Sequence, residues 1–264
     1  MTMKILFLGT GAADWEEKDW DAGRPGTRFL TTALVDGHIL IDCGPTLFRS
    51  AETAGVDLSS VDTVLLTHLH DDHYSADSLA RLAALCSFTL YTEKQSASHI
   101  PAIPGMTVRP LSLFEETPVV GGTVTAVPAN HRVASPAPNA PAHYVLRQGD
   151  ETLFWGCDGH RLICDSWAYL RRLRFDCMIL DGTFGDAPAL PTYFEHNNIM
   201  HITEMAAIFR GVRMIKPGGR IVMCHMSRDC HDSHDVLSAR MKKEGIVVAY
   251  DSMTLALPSE ETEK

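Results

Sequence analysis

The sequence predicts an α+β protein with an αββα architecture, in which two β-sheets pack face to face between outer layers of helices. Predicted strands come first in each half of the chain, and helices follow them. The two kinds of element do not alternate strictly enough for one doubly wound parallel sheet. A length of 264 residues lies within the range of one large domain, so residues 1–264 are predicted to form a single domain.

The first half of the chain is predicted to contain four strands and two helices. Asp36-Gly37 between two apolar segments indicates a β-hairpin. Apolar spacing after residue 75 and a proline at position 45 indicate the helices. The predicted strands are 3–9, 29–35, 38–42 and 61–67, and the predicted helices are 45–54 and 75–86.

The second half is predicted to begin with strands and to continue with mixed elements. Residues 101–141 are rich in proline, glycine and alanine, so only short strands are expected there. Gly149-Asp150 is expected to join two alternating segments as a turn. The predicted strands are 107–111, 122–127, 143–147, 152–157, 177–181, 220–225 and 245–250, and the predicted helices are 165–174, 202–215 and 233–243.

Composition disfavours several classes of protein, among them nucleic-acid-binding, membrane-spanning and secreted proteins. Apolar residues make up 45% of the chain and the formal net charge is −10, so no general field attracts nucleic acid. No apolar run is long enough for a membrane span, and no secretory signal is predicted. The seven cysteines include no Cys-x-x-Cys pair, which favours reduced thiols in a cytoplasmic protein. A dinucleotide loop is disfavoured because Gly9-Thr10-Gly11 is followed by Asp14 instead of a third glycine.

A string of metal-ligand side chains follows the predicted strand 61–67. His68 and His70 lie two residues apart, so on an extended chain their imidazoles point to the same side. Asp72 and His73 follow directly, where the chain turns towards the next helix. Imidazole and carboxylate groups together suit cations such as Zn²⁺, Mn²⁺ or Fe²⁺. The string therefore predicts a metal site, in preference to a solvated loop that is rich in histidine.

Three further candidate ligands follow predicted strands in the second half. Asp158 comes directly after an apolar strand, and so does His225. His131 closes a segment that contains a proline and is the weakest of the three on its own. Side chains at such strand ends face a shared edge of a sandwich. We therefore expect these residues to join the histidine string.

With these residues the chain resembles the metallo-β-lactamase superfamily. The pattern that carries the resemblance is His68-x-His70-x-Asp72-His73 followed by His131, Asp158 and His225, together with Gly9–Gly11 and Ile41–Gly44. Residues 180–184 (LDGTF) and 200–203 (MHIT) are similar to motifs of one branch. That branch contains the cyclic-phosphate phosphodiesterases of phosphonate breakdown and the tRNA 3′-processing endonucleases.

The resemblance implies two divalent metal ions, Zn²⁺ or Mn²⁺, with Fe²⁺ as a further candidate. It gives the first cation His68, His70 and His131, and the second Asp72, His73 and His225, with Asp158 bridging both. Two such cations lower the pKa of a shared water, and the resulting hydroxide attacks the substrate. Ionised Asp158 has two acceptor oxygens, so it can serve both cations. Asp72 is expected to orient the nucleophile as well as bind metal.

His201 is expected to act in catalysis without binding metal. It is predicted to lie just before an amphipathic helix with Thr203 as its N-cap. In the resembling branch a histidine at this place protonates the leaving group or holds the phosphate. Asp181 is expected to orient a ligand histidine, and His160 and His196 are candidates to line the pocket. The other histidines are expected to be structural: His38, His99, His143, His231 and His234.

Two departures from the resembling branch bear on the substrate. The phosphonate-pathway enzymes carry a structural zinc site of clustered cysteines, and residues 14–26 contain no cysteine. The tRNA-processing members carry a long basic arm, and no such insertion is visible. We therefore expect a small, cyclic or linear phosphodiester as substrate and no nucleic-acid partner. Hydrolysis of a lactone, thioester or β-lactam and a non-catalytic metal-binding role are the alternatives, and the sequence leaves a homodimer open.

Overall fold

The computed structural model describes residues 2–21, 26–132, 140–187 and 195–257. Two seven-stranded sheets make up its centre. In spatial order the first sheet consists of β14 (Thr254–Ala256), β1 (Lys4–Gly9), β2 (Thr32–Val35), β3 (Ile39–Ile41), β4 (Thr63–Leu65), β5 (Phe88–Glu93) and β6 (Met106–Leu111). The second consists of β13 (Ile246–Val248), β12 (Ile215–Cys224), β11 (Phe175–Asp181), β10 (Glu151–Gly156), β9 (Ala142–Gln148), β8 (Gly122–Pro128) and β7 (Glu116–Val119).

Helices cover the outer faces of both sheets. Their bounds are α1 (Glu17–Asp21), α2 (Leu47–Ala54), α3 (Ala76–Leu85), α4 (Lys94–Ala97), α5 (Cys164–Leu170), α6 (Ile199–Gly211) and α7 (His234–Lys243). Leu47, Leu79 and Leu82 pack α2 and α3 against the first sheet. Phe209 and Leu237 pack α6 and α7 against the second. This arrangement confirms the predicted αββα sandwich.

The apolar layer between the sheets comes from the alternating inward residues of both. Phe7 of β1 and Trp155 of β10 stack with their ring centroids 6.2 Å apart, and both are almost inaccessible to solvent. Burial of such large side chains is the main favourable contribution to folding, roughly 25 cal/mol per Å² of apolar surface.

Parallel pairing brings the carboxyl ends of neighbouring strands to one edge of the sandwich. In the first sheet β3 and β4 pair in parallel, with Ile41 opposite Leu65. In the second sheet β10, β11 and β12 pair in parallel, with Asp181 opposite Cys224. The segments that follow these strands therefore meet in space. All candidate ligands belong to such segments or to the loop after β8.

Several predicted boundaries differ from the structure. Helix α6 begins at Ile199 with Asn198 as its N-cap, so the prediction of Thr203 as the N-cap is wrong and His201 lies inside the first turn. The same helix ends at Gly211, before the left-handed Arg213 (φ 60°), so the predicted helix 202–215 starts too late and extends too far. Strands β5, β7 and β14 were not predicted, although the sequence FTLYTE of β5 is rich in residues that favour strands.

The described part of the chain contains neither a disulfide nor a membrane-spanning helix. All seven cysteines lie in the described part of the chain, and none forms a disulfide. Among the helices of that part, none is both long enough and apolar enough to cross a lipid bilayer.

Candidate metal centre

The first sheet supplies the histidine string through the segment after β4. Thr67 at its start is fixed by Asp42, whose Oδ1 accepts hydrogen bonds from the Thr67 backbone N–H (2.8 Å) and hydroxyl (2.9 Å). Asp42 directly follows β3 and has a left-handed backbone (φ 62°), which only a few residue types tolerate well. The chain then passes His68 and His70 and turns at His73, whose N–H bonds back to the His70 carbonyl at 3.0 Å.

The second sheet supplies its ligand candidates from sharp turns after the strands. Asp158 (φ 60°) comes two residues after β10, and His225 (φ 58°) comes directly after β12. A left-handed residue at a strand end changes the direction of the chain abruptly. Both side chains are buried, at 3% and 1% exposure. His131 reaches the same place from the loop after β8.

The carboxylate of Asp158 is the centre of the cluster. Its Oδ2 lies near a ring nitrogen of five histidines: His68 (3.0 Å), His73 (3.3 Å), His131 (3.4 Å), His225 (3.9 Å) and His70 (4.0 Å). The nitrogens of the rings also face one another. His68 Nε2 and His131 Nε2 lie 2.9 and 3.0 Å from His70 Nδ1, and His73 Nε2 lies 3.1 Å from His225 Nε2.

The ligand-type atoms fall into three groups that all contain Asp158. Within each group these atoms all lie within 4.8 Å of one another. Ring nitrogens that face one another cannot all find donors among themselves, whereas one cation between them can satisfy every lone pair. The donor set therefore fits two cations with imidazole and carboxylate ligands. The two groups with the predicted ligands are His68, His70, His131 and Asp158, and Asp72, His73, His225 and Asp158. The third group, Asp158, Asp181, His196 and His225, shares two of its four members with the second.

The opposite nitrogens of the rings have partners of their own. His73 Nδ1 lies 2.7 Å from Asp42 Oδ2, and His225 Nδ1 lies 2.8 Å from the Thr183 hydroxyl. His68 Nδ1 lies 3.0 Å from the Thr67 hydroxyl. Such outer partners fix the tautomer and orientation of a metal-binding imidazole. Asp42 was not predicted in this role, although its place at a parallel strand end beside the string was a usable signal.

Burial and charge set the protonation of the cluster. Burial, reinforced by the neighbouring His73, lowers the pKa of His68 to about 3. Burial also opposes the charge on Asp158, but the surrounding histidines outweigh it and hold the pKa of that carboxyl well below its usual range. Asp72 behaves in the same way, since His73 and His225 outweigh its burial and lower its pKa. Ionised carboxylates and a neutral His68 are the forms in which these groups bind cations.

His196 belongs to this cluster, although sequence reasoning treated it only as a residue that lines the pocket. Its Nδ1 lies 2.9 Å from Asp158 Oδ1 and 3.0 Å from Asp181 Oδ2. Burial lowers the pKa of His196, but Asp181 and Asp158 outweigh that effect and raise it to about 11. Asp181 also contacts His225, with 3.6 Å between its Oδ2 and Nδ1. The position of Asp181 is thus that expected of an orienting residue.

His201 is not among the residues that line the cavity. Its backbone N–H donates to the Asn198 side chain at 3.0 Å. Its ring meets that of His160 edge to face, with 4.7 Å between the centroids. The buried Nδ1 has no hydrogen-bond partner among the described residues. His160 also lies outside the cavity lining, whereas His196 lines it.

A cavity of about 810 Å³ opens over the cluster, a volume typical of small-molecule sites. His70, Asp72, His131, Asp158 and His225 form its floor. Its sides come from the segment after β1, the loop around Thr183 and Phe184, and Glu195.

The structure is therefore of the class that combines an αββα sandwich with a candidate metal centre, here built around five histidines that face Oδ2 of Asp158. A family model for the beta-lactamase superfamily domain matches residues 38–226, more than half of the chain. The chain therefore belongs to this superfamily, and the resemblance inferred from the histidine string is confirmed.

Individual relatives match this chain either over a short segment or at low sequence identity. Ribonuclease Z of Methanopyrus kandleri is 42% identical over 69 residues, which are 26% of this chain and 23% of that protein. The match thus spans about a quarter of the length of this curated relative. Zn²⁺-bound PqqB of Methylobacterium extorquens has a TM-score of 0.74, covering 96% of this chain and 99% of that one at 20% identity. The short form of human tRNase Z has a TM-score of 0.69, covering 97% and 100% at 18% identity. The two solved structures show the fold.

Proposed function

We propose that the chain is a dinuclear metal-dependent phosphodiesterase that hydrolyses a small phosphodiester. The observation that carries the proposal is the convergence of five imidazoles on Oδ2 of Asp158, which is shared by the two groups of ligand-type atoms that contain the predicted ligands. We assign the first cation to His68, His70 and His131 and the second to Asp72, His73 and His225, with Asp158 between them. Zn²⁺ and Mn²⁺ are the proposed cations, and Fe²⁺ fits the same donors.

When bound, the two cations would activate water and neutralise charge on the phosphodiester. The residues of the chain would orient the reactants. Asp72 is buried yet lines the cavity, so its carboxylate can accept a hydrogen bond from the attacking water. His201 is our proposed proton donor to the leaving oxygen, because residues 200–203 resemble the motif that carries this histidine in the phosphodiesterase branch. His196 is the competing donor, since it lines the cavity and lies against Asp158.

A phosphodiester is favoured over other hydrolysable groups by the partial match to a relative named ribonuclease Z. A small substrate is favoured over RNA by charge. No lysine or arginine is among the described residues that line the cavity, and the chain carries a net charge of −10. Proteins that bind nucleic acid depend on basic side chains for most of their affinity.

Turnover of bis(p-nitrophenyl) phosphate by protein reconstituted with Mn²⁺ or Zn²⁺ tests the proposal. We expect hydrolysis that requires metal and disappears in His68→Ala and Asp158→Ala, each with reduced metal content. His38→Ala is the matched control, because His38 pairs with Asp62 away from the cluster. Full metal content without turnover of any phosphodiester would contradict a phosphodiesterase. Turnover of lactones or thioesters alone would identify the alternative hydrolase.

A further inference from the structure

One side of the cavity takes no part in the proposed metal chemistry. It is formed by Asp14, Trp15, Glu16, Glu17 and Trp20, here called the N-terminal wall. The wall comes from the segment after β1 and from Glu17 and Trp20 of α1. If the phosphate of a substrate lay at the cations, the rest of the substrate would face this wall.

Hydrogen bonds fix both indoles of the wall in place. Trp15 Nε1 donates to the Met226 carbonyl at 2.9 Å, and Trp20 Nε1 donates to the Arg28 carbonyl at 2.8 Å. Trp15 also lies so close to Gly11 that a Cβ there would come within 2.5 Å of its Cδ1. Because both N–H groups are already bonded, the rings offer a ligand their carbon surfaces and π-electrons.

The charge that faces the cavity is negative. Asp14, Glu16 and Glu17 of the wall and Glu195 opposite contribute carboxylates. Asp14 accepts hydrogen bonds from the Ser227 hydroxyl and the Arg228 backbone N–H, so no side-chain cation cancels its charge.

The nearby basic side chains are already paired. Arg228 binds Asp19 at 3.1 Å and Asp229 at 3.2 Å. Lys18 pairs with Glu16 in an exposed ion pair, which solvent screens strongly. Arg28 is buried and bonds Thr10 and the Ala249 carbonyl. Glu17 and Glu195 therefore face the cavity without a basic side chain beside them among the described residues.

The geometry points to a zwitterionic phosphodiester as substrate, with the phosphate at the cations and a quaternary or primary ammonium group at the N-terminal wall. This inference rests on the proposed function. Indole faces attract cations, and carboxylates at the rim strengthen that attraction. A flat neutral base would also stack on indole, but it would gain nothing from the carboxylates around it. Hydrolysis forms one P–O bond from water and breaks one P–O ester bond, and the departing oxygen takes a proton.

Two esters that differ in one atom test this inference. They are p-nitrophenyl phosphocholine and its 3,3-dimethylbutyl isostere, in which carbon replaces the ammonium nitrogen. We expect kcat/KM of the metal-loaded protein to be about tenfold higher for the choline ester. The preference should shrink in about 0.5 M salt, because the carboxylates are exposed. Calorimetric binding of phosphocholine and of 3,3-dimethylbutyl phosphate should show the same order without turnover.

Variants identify the wall as the source of the preference. Glu17→Gln and Trp20→Leu should each lower the ratio of the two kcat/KM values about threefold or more, whereas Trp20→Phe should keep most of it. Glu52→Gln, on the exposed side of α2, is the matched control and should leave the ratio unchanged. Equal turnover of both esters would overturn the inference and leave the phosphodiesterase intact. Turnover of neither ester with metal bound would overturn the proposed function itself. A preference that survives unchanged in both Glu17→Gln and Trp20→Leu would exclude the N-terminal wall.

Discussion

The carboxylate of Asp42 lies 2.7 Å from Nδ1 of His73, while Nε2 of the same ring lies 3.3 Å from Oδ2 of Asp158. Asp42 follows β3 and His73 follows β4, and these two parallel strands are neighbours in the first sheet. Their pairing therefore holds Asp42 close to His73. Both side chains are fully buried. Asp42 therefore orients the imidazole from behind and keeps its Nε2 directed at the centre of the cluster.

We expect Asp42→Asn to weaken binding of the second cation about 10- to 100-fold while the protein stays folded. Asparagine tolerates the left-handed backbone at this position and can still accept from Thr67, but it removes the negative charge behind His73. Competition with a chromogenic chelator measures the affinity. Asp62→Asn is the matched control, since Asp62 forms the same kind of pair with His38 (3.1 Å) outside the cluster. Equal metal affinity in both variants would remove Asp42 from the orienting role.

The two candidate proton donors predict different kinetics. We expect His201→Ala to keep both metals and to slow hydrolysis of esters with poor leaving groups by about 10²- to 10⁴-fold. The loss should be smaller for p-nitrophenolate, which needs little protonation. His196→Ala should slow all esters to a similar degree, because its loss disturbs Asp158 and Asp181. The assignment is wrong if the dependence on the leaving group appears in His196→Ala instead.

The sequence predicted those parts of the centre that depend on local pattern. His68, His70, Asp72 and His73 stand in one short string at a strand end, and the structure brings them together with Asp158, as expected. Asp42 and His196 were missed as members of the cluster because each reaches it through tertiary pairing. The start of α6 was misplaced because Asn198 and Thr203 are both plausible caps, and only the backbone distinguishes them.

Gly44 packs closely against the backbone of Asp72 at the cluster. A Cβ at this position would lie 2.2 Å from the Asp72 carbonyl oxygen, so Gly44→Ala must push the segment of Asp72 and His73 away. We expect a loss of about 1–3 kcal/mol in the free energy of unfolding and weaker binding of the second cation. Chemical denaturation and metal titration measure the two effects. Gly211→Ala, with no atom within 4 Å of its Cβ, should be neutral or slightly stabilising. The same response in both variants would contradict the packing argument.

A buried carboxyl on the far side of the N-terminal wall makes stability depend on pH. Asp251 accepts hydrogen bonds from the Thr10 hydroxyl (2.7 Å) and from the Phe29 backbone N–H (2.6 Å). Burial nevertheless outweighs these bonds and raises its pKa from 3.8 to about 6. The folded protein therefore keeps a proton on Asp251 at a pH where the unfolded chain has released it.

Asp251→Asn should remove this dependence. A carboxyl whose folded pKa is raised stabilises the fold fully below its ordinary pKa, and that contribution is lost as the pH rises through about 6. Relative to Asp251→Asn, the wild type should thus lose up to about 3 kcal/mol of unfolding free energy between about pH 4 and pH 7. Denaturant unfolding of both proteins across this range, with the same added metal in each, measures the difference and cancels the effect of metal binding. Each oxygen of Asp251 accepts one hydrogen bond, and asparagine has only one acceptor oxygen. The variant therefore differs by a constant offset in stability, and only the change of the difference with pH reports the charge. Parallel stability curves for the two proteins would show that Asp251 ionises as freely in the fold as in the unfolded chain.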